Sequence, residues 1–228
     1  MVYKLIIKKL YVLFSIGLIF NPLLASNEVF EASDSTLKII SESYSAQEGD
    51  TLLVGLNFKL DSGWHTYWKN PGDAGGAAEV IWNLPEKVIA SEILWPGPEM
   101  IPVEPLMTYG YEDEVTLLTE LKIGKEAKFP IKIEGKVAWY TCKEICIPQE
   151  GTISLWLNKG KKLKSDFYKD LLLTKDQVPL EISYPHRINK LDGRIILEIE
   201  LDKVQEIEKV NFFPNKYGLI NYAAKQNL

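Results

Sequence analysis

Apolar and polar residues alternate with a period of two through much of this chain. Between Thr51 and Leu60 the residues Leu52, Val54, Leu56, Phe58 and Leu60 fall on one side of an extended segment. That is the pattern of a strand with one buried face. Val115–Leu121 and Thr152–Leu157 read the same way, and Leu37–Ile40 begins another strand. Phe129–Tyr140 is a long strand that runs directly into Cys142. Glycine, proline and aspartate punctuate these runs. Several short strands with such punctuation predict an all-β fold, an immunoglobulin-like β-sandwich, placed at 27–160. The basic, glycine-containing stretch Asn158–Lys164 marks its end. A linker at 161–178 carries a short helix near Asp166–Leu173. A second, partial β unit is expected at 179–228, because Leu180-Glu181-Ile182 and Gly193–Leu201 echo the apolar positions of Leu37-Lys38-Ile39 and Gly49–Leu56. Val210–Tyr222 would add one or two further strands, too few for a full second sandwich.

The N-terminus breaks this pattern. Lys4, Lys8 and Lys9 precede an apolar run from Leu10 to Phe20, Asn21-Pro22 interrupts it, and Ala25-Ser26 supplies small residues for cleavage. Residues 1–26 therefore read as a signal peptide, with an uncleaved anchor as the alternative. The apolar run is shorter than the roughly 20 residues that a spanning helix needs. The mature part is expected outside the cytoplasm. The chain has 228 residues, 46% hydrophobic and 25% charged, a globular rather than a disordered composition. A net charge of −5 argues against a nucleic-acid partner. Six tryptophans and eleven tyrosines fit sandwich core and cross-strand pairs, or an aromatic binding surface.

The chemistry concentrates at the only two cysteines, in Tyr140-Thr141-Cys142-Lys143-Glu144-Ile145-Cys146-Ile147-Pro148. An exported chain meets an oxidising compartment in which neighbouring thiols pair. Strand-like sequence lies on both sides, so the cysteines should face each other at a hairpin end, at a spacing that a disulfide accepts. So short a loop returns little stability, which brings a redox role level with an inert hairpin bond. A copper or zinc site of Cys142, Cys146 and His65 is a third option. His65 lies in Gly63-Trp64-His65-Thr66-Tyr67-Trp68-Lys69-Asn70-Pro71-Gly72-Asp73-Ala74-Gly75, whose plainest reading is an aromatic strand followed by a turn, with a structural histidine. Pro102–Tyr111 reads as a loop whose Leu106, Met107, Tyr109 and Tyr111 cover something. No Ser/His/Asp set, phosphate-binding loop or dinucleotide fingerprint is present, so hydrolytic and nucleotide chemistry lack support.

Three segments, Gly63–Gly75, Tyr109-Gly110-Tyr111-Glu112-Asp113-Glu114-Val115, and Trp139–Cys142 with Cys146-Ile147-Pro148, in this order and spacing, resemble the N-terminal periplasmic domain of the DsbD/ScsB family of thiol:disulfide interchange proteins. The likeness spans roughly Leu37–Leu157. Val210–Pro214 and Gly218–Ile220 also resemble the second β region of the ScsB-like branch, which shares the three-residue spacing between cysteines. The resemblance implies a protein-disulfide reductase type of activity with no cofactor. Cys142 and Cys146 would accept electrons from a membrane-embedded thiol reductase. They would pass them to periplasmic thioredoxin-like proteins, such as disulfide isomerases and cytochrome c maturation factors. Cys146 would form the mixed disulfide and Cys142 would resolve it. A cap loop would shield the pair: by position Glu104 to Gly110, with Leu106, Met107 and Tyr109 as its cover. The alternatives are an immunoglobulin-like binding or assembly module with an inert disulfide, and a copper-tolerance protein binding Cu(I) through both sulfurs.

Overall fold

The computed structural model describes residues 29–200 and 210–226; the expected signal peptide at 1–26 lies outside the described residues. Two sheets face each other. The first holds β1 (Val29–Glu31), β2 (Ser35–Ser41), β4 (Thr51–Leu60), β10 (Glu114–Ile123) and β7 (Val88–Ala90), in the order β1-β2-β4-β10-β7. The second runs β3 (Ser45–Ala46), β12 (Cys146–Lys159), β11 (Ile131–Cys142), β5 (His65–Gly72), β9 (Leu106–Glu112), β8 (Glu99–Val103), with β6 (Glu79–Asn83) also paired to β11. The fold is the expected all-β, immunoglobulin-like sandwich.

Alternation fills the space between the sheets. Leu52, Val54, Leu56 and Phe58 of β4 meet Val137 and Trp139 of β11 and Ile153 and Leu155 of β12 in one core. Trp139 is 1% exposed and takes Phe30 and Phe58 edge-on at 5.8 and 5.6 Å. The predicted helix is α1 (Tyr168–Asp176). It covers the outer face of the first sheet, where Leu171 packs with Ile40 and Leu118. Gly55 permits this approach, since a Cβ there would lie 2.8 Å from Leu171 Cδ2.

Two expectations need correction. Pro102–Tyr111 is a hairpin, β8–β9, rather than a loop, with Val103 opposite Leu106. β8 is the last strand of its sheet, and an edge position tolerates the missing N–H of Pro102. Among the described residues after 179 there is one hairpin, β13 (His186–Leu191) with β14 (Arg194–Ile199), exposed along its whole length. Leu180–Ile182 and Val210–Tyr222 contain no strand. The second segment instead returns to the sandwich: Phe213 sets its ring against Trp68 and Tyr109, Tyr222 packs on Tyr109, and Asn70 Nδ2 donates to the Pro214 carbonyl at 2.6 Å. Aromatic anchors, not backbone pairing, hold it there.

Candidate functional site

β11 and β12 pair along their entire length, from Ile131 opposite Leu157 to Cys142 opposite Cys146. The two cysteines close this hairpin with a disulfide, Cα to Cα 4.2 Å, and Lys143-Glu144-Ile145 form the tip. Residues 131, 133, 137 and 139 point into the core, so alternation sends Tyr140 and Cys142 to the outer face. An outer-face residue is ordinarily wet. Cys142 is only 2% exposed, whereas Cys146 is exposed. The disulfide therefore offers one sulfur to solvent and withholds the other.

β5 supplies the wall. It meets β11 at a single register pair, His65 opposite Cys142, and Thr66 Oγ1 ties the strands by donating to the Tyr140 carbonyl at 2.9 Å. His65 and Tyr67, two residues apart, share the outer face with Cys142, and both are buried, at 4% and 1% exposure. Their rings meet edge-on at 5.2 Å. The Tyr67 hydroxyl lies 3.1 Å from Cys146 Sγ; a disulfide sulfur carries no proton, so the hydroxyl donates. Tyr67 is roofed by the strap 73–78 that joins β5 to β6. Gly75 sits directly on its ring, where a Cβ would come within 2.1 to 2.4 Å of three ring atoms, and Gly76 lies against the ring of Tyr140. Lys143 turns away from the sulfurs, its Nζ on the Ser62 carbonyl at 3.3 Å.

Burial sets the protonation of both wall residues. It lowers the His65 pKa from its ordinary value, so the ring is neutral at neutral pH. It raises the Tyr67 phenol to about 12, so the hydroxyl keeps its proton wherever a thiolate exists. A protonated phenol beside Cys146 Sγ can stabilise an anion there. His65 Nε2 is buried without a hydrogen-bond partner.

Of the residues expected at the site, Cys142 and Cys146 come together. The expected cap residues are arranged differently. Glu104 lies in the turn between β8 and β9, and Leu106 is 40% exposed at the start of β9. Tyr109 is fully buried, its ring turned into the core against Phe213 and Tyr222. Gly110 is wedged against β5, where a Cβ would meet the Thr66 carbonyl at 2.0 Å. Met107 reaches the site only through the strap: its backbone N–H donates to Asp73 Oδ2 at 2.9 Å, and its carbonyl accepts from the Asp73 N–H at 3.0 Å. The contact to Cys146 comes from Tyr67, which sequence reasoning left inside an aromatic run. His65 stands opposite Cys142, yet among the described residues no three metal-ligating side chains converge on one point.

Fold and site together define a β-sandwich domain that presents one disulfide, open at one sulfur, at a hairpin tip. The family model described as thiol:disulfide interchange protein DsbD, N-terminal, matches residues 38–158, and the chain belongs to that family. The crystal structure of the N-terminal periplasmic domain of ScsB from Proteus mirabilis superposes with a TM-score of 0.60 at 22% identity, covering 78% of this chain and 71% of that one; it shares the fold. A yeast GGA1 GAE domain aligns over 57% of this chain and 98% of its own at 15% identity with a TM-score of 0.30, too low to inform the fold. No curated protein matches the chain. No helix among the described residues is long and apolar enough to cross a membrane.

Proposed function

We propose that the chain relays electrons in the periplasm, from a membrane-embedded thiol reductase to thioredoxin-like proteins, through Cys142 and Cys146. The observation that carries this reading is the asymmetry of the disulfide: an exposed Cys146 under the Tyr67 hydroxyl, and a Cys142 that is 2% exposed. Exchange proceeds by attack of a thiolate along the S–S axis. Only Cys146 offers an approach, so the reductase thiolate bonds to Cys146 Sγ and the electron pair of the broken bond passes to Cys142. A second reductase thiol then releases the dithiol. In the forward step the Cys146 thiolate attacks a partner disulfide. Cys142 resolves the mixed disulfide, leaving the partner reduced and this chain oxidised. Exposed Ile145 and Tyr140, 68% and 39%, flank the open sulfur and give a partner an apolar footing. Shielding falls to the strap 73–78, which Met107 of the β8–β9 hairpin anchors through Asp73.

The test is trapping with single-cysteine variants. Cys142→Ser leaves Cys146 to hold a partner in a stable mixed disulfide, and such adducts with thioredoxin-like proteins are expected. Cys146→Ser should trap none. Equal trapping by both variants, or by neither, would contradict the assignment.

A further inference from the structure

Resting on that redox reading, we propose that His65 is the proton partner of Cys142: it takes up a proton from solvent when exchange expels the Cys142 sulfur, and releases it when the disulfide closes again. The argument begins with register. Glu112, His65, Cys142 and Cys146 are successive Cα partners across β9, β5, β11 and β12. Directly opposed residues of antiparallel strands project to the same face, with Cβ atoms about 4.5–5.5 Å apart. The imidazole and the Cys142 sulfur are thus side-chain neighbours, on residues that are 4% and 2% exposed.

Attack on Cys146 leaves an electron pair on the sulfur of Cys142, a residue that is 2% exposed. A buried anion without a partner is costly, so it must be paired or protonated. The candidates are few. The Tyr67 hydroxyl is engaged with Cys146, and Lys143 is held at Ser62. Glu112 beyond His65 and Glu144 in the hairpin tip carry the wrong sign for a thiolate, though both favour a cation between them and the sulfur. His65 remains, with an Nε2 that is buried and unpartnered while the disulfide is intact. The atom that costs stability in the oxidised state is the one that the reduced state needs. The balance is one proton per electron pair delivered to Cys142, shared between thiol with neutral imidazole and thiolate with imidazolium. When Cys142 attacks the mixed disulfide, the partner leaves as a thiolate and the proton returns to solvent through His65. Burial holds the ring neutral in the oxidised protein; an adjacent thiolate reverses that preference.

The chain has two histidines, so an NMR titration of the full chain gives two signals, and exposed His186 is the internal reference. His65 should bind its proton at least about tenfold more tightly in the dithiol than in the disulfide form, read against the His186 signal. His65→Phe keeps the ring edge on Tyr67 and removes the proton. Its reduction by dithiothreitol should slow about tenfold or more, the scale of one lost charge-assisted hydrogen bond, and should lose the inflection that wild type shows near the histidine range. An identical His65 titration in both redox states would overturn the proposal even if His65→Phe failed to fold, and so would reduction of a folded His65→Phe at the wild-type rate and pH profile. If wild type itself resists dithiothreitol, the redox reading falls and this inference with it. If wild type exchanges normally while His65 is unmoved, the inference alone falls.

Discussion

Replacing Tyr67 by phenylalanine removes one oxygen and leaves the ring under Gly75, so it isolates the hydroxyl that lies 3.1 Å from Cys146 Sγ. Against a disulfide sulfur this is a neutral hydrogen bond, and its loss should cost about 0.5–1.5 kcal/mol of folding stability in the oxidised protein. Against a thiolate it is charge-assisted and worth about 1.5–3 kcal/mol. One pKa unit corresponds to about 1.4 kcal/mol, so the Cys146 thiol should titrate about one to two units higher in the variant. Thiolate at neutral pH then falls about 10- to 100-fold. The more basic thiolate is also more nucleophilic, with a Brønsted slope of about 0.4–0.5, which returns part of the loss and leaves a net slowing of about 3- to 16-fold. The assay is the pH dependence of alkylation of Cys146 in a Cys142→Ser background, with and without Tyr67→Phe. A thiol pKa that does not move would refute the reasoning, because it would mean that the phenol does not reach the reduced sulfur.

Further outcomes follow from the same geometry. Gly75→Ala places a Cβ into the Tyr67 ring at a residue whose φ is +86°; chemical denaturation should show a loss of about 1–3 kcal/mol and alkylation of Cys146 should change with it. Burial depresses the His65 pKa, so below about pH 6.5 the unfolded chain binds the proton first. Stability of the oxidised protein should hold above that pH and decline as pH falls through the region between the two values, a slope that His65→Phe removes in denaturation curves. Tyr67 has the opposite sign: its phenol stays protonated to about 12, so its contribution persists up to about pH 10 and is lost above it. Asn70→Ala frees the Pro214 carbonyl at a cost of about 1–3 kcal/mol, and limited proteolysis within 210–226 should accelerate.

The long strands were legible because each has one face in the core, and alternation records that directly: Leu52, Val54, Leu56 and Phe58 are all buried where it places them. The hairpin location of the cysteines was legible for the same reason, since strand patterns flank them on both sides. His65 and Tyr67 were not, because period two assigns them to the outer face. What covers Tyr67 is the strap 73–78, a return of chain whose position no local pattern encodes. Pro102 and Pro105 suggested a loop because proline interrupts interior strands, but β8 sits at an edge. Val210–Tyr222 suggested strands from its apolar content, yet its apolar residues are aromatic anchors for the core around Tyr109. The echo between Gly193–Leu201 and Gly49–Leu56 reflects a shared strand pattern; in the described residues it yields an exposed hairpin and not a second sandwich.

The equilibrium reduction potential of Cys142–Cys146 in the purified protein, set against glutathione or dithiothreitol with thiol trapping, tests the central claim most directly. An electron relay predicts a value between thioredoxin-type reductants and the disulfide isomerases, roughly −270 to −180 mV. A bond that stays oxidised well below about −300 mV would contradict the relay and mark the disulfide as a structural staple.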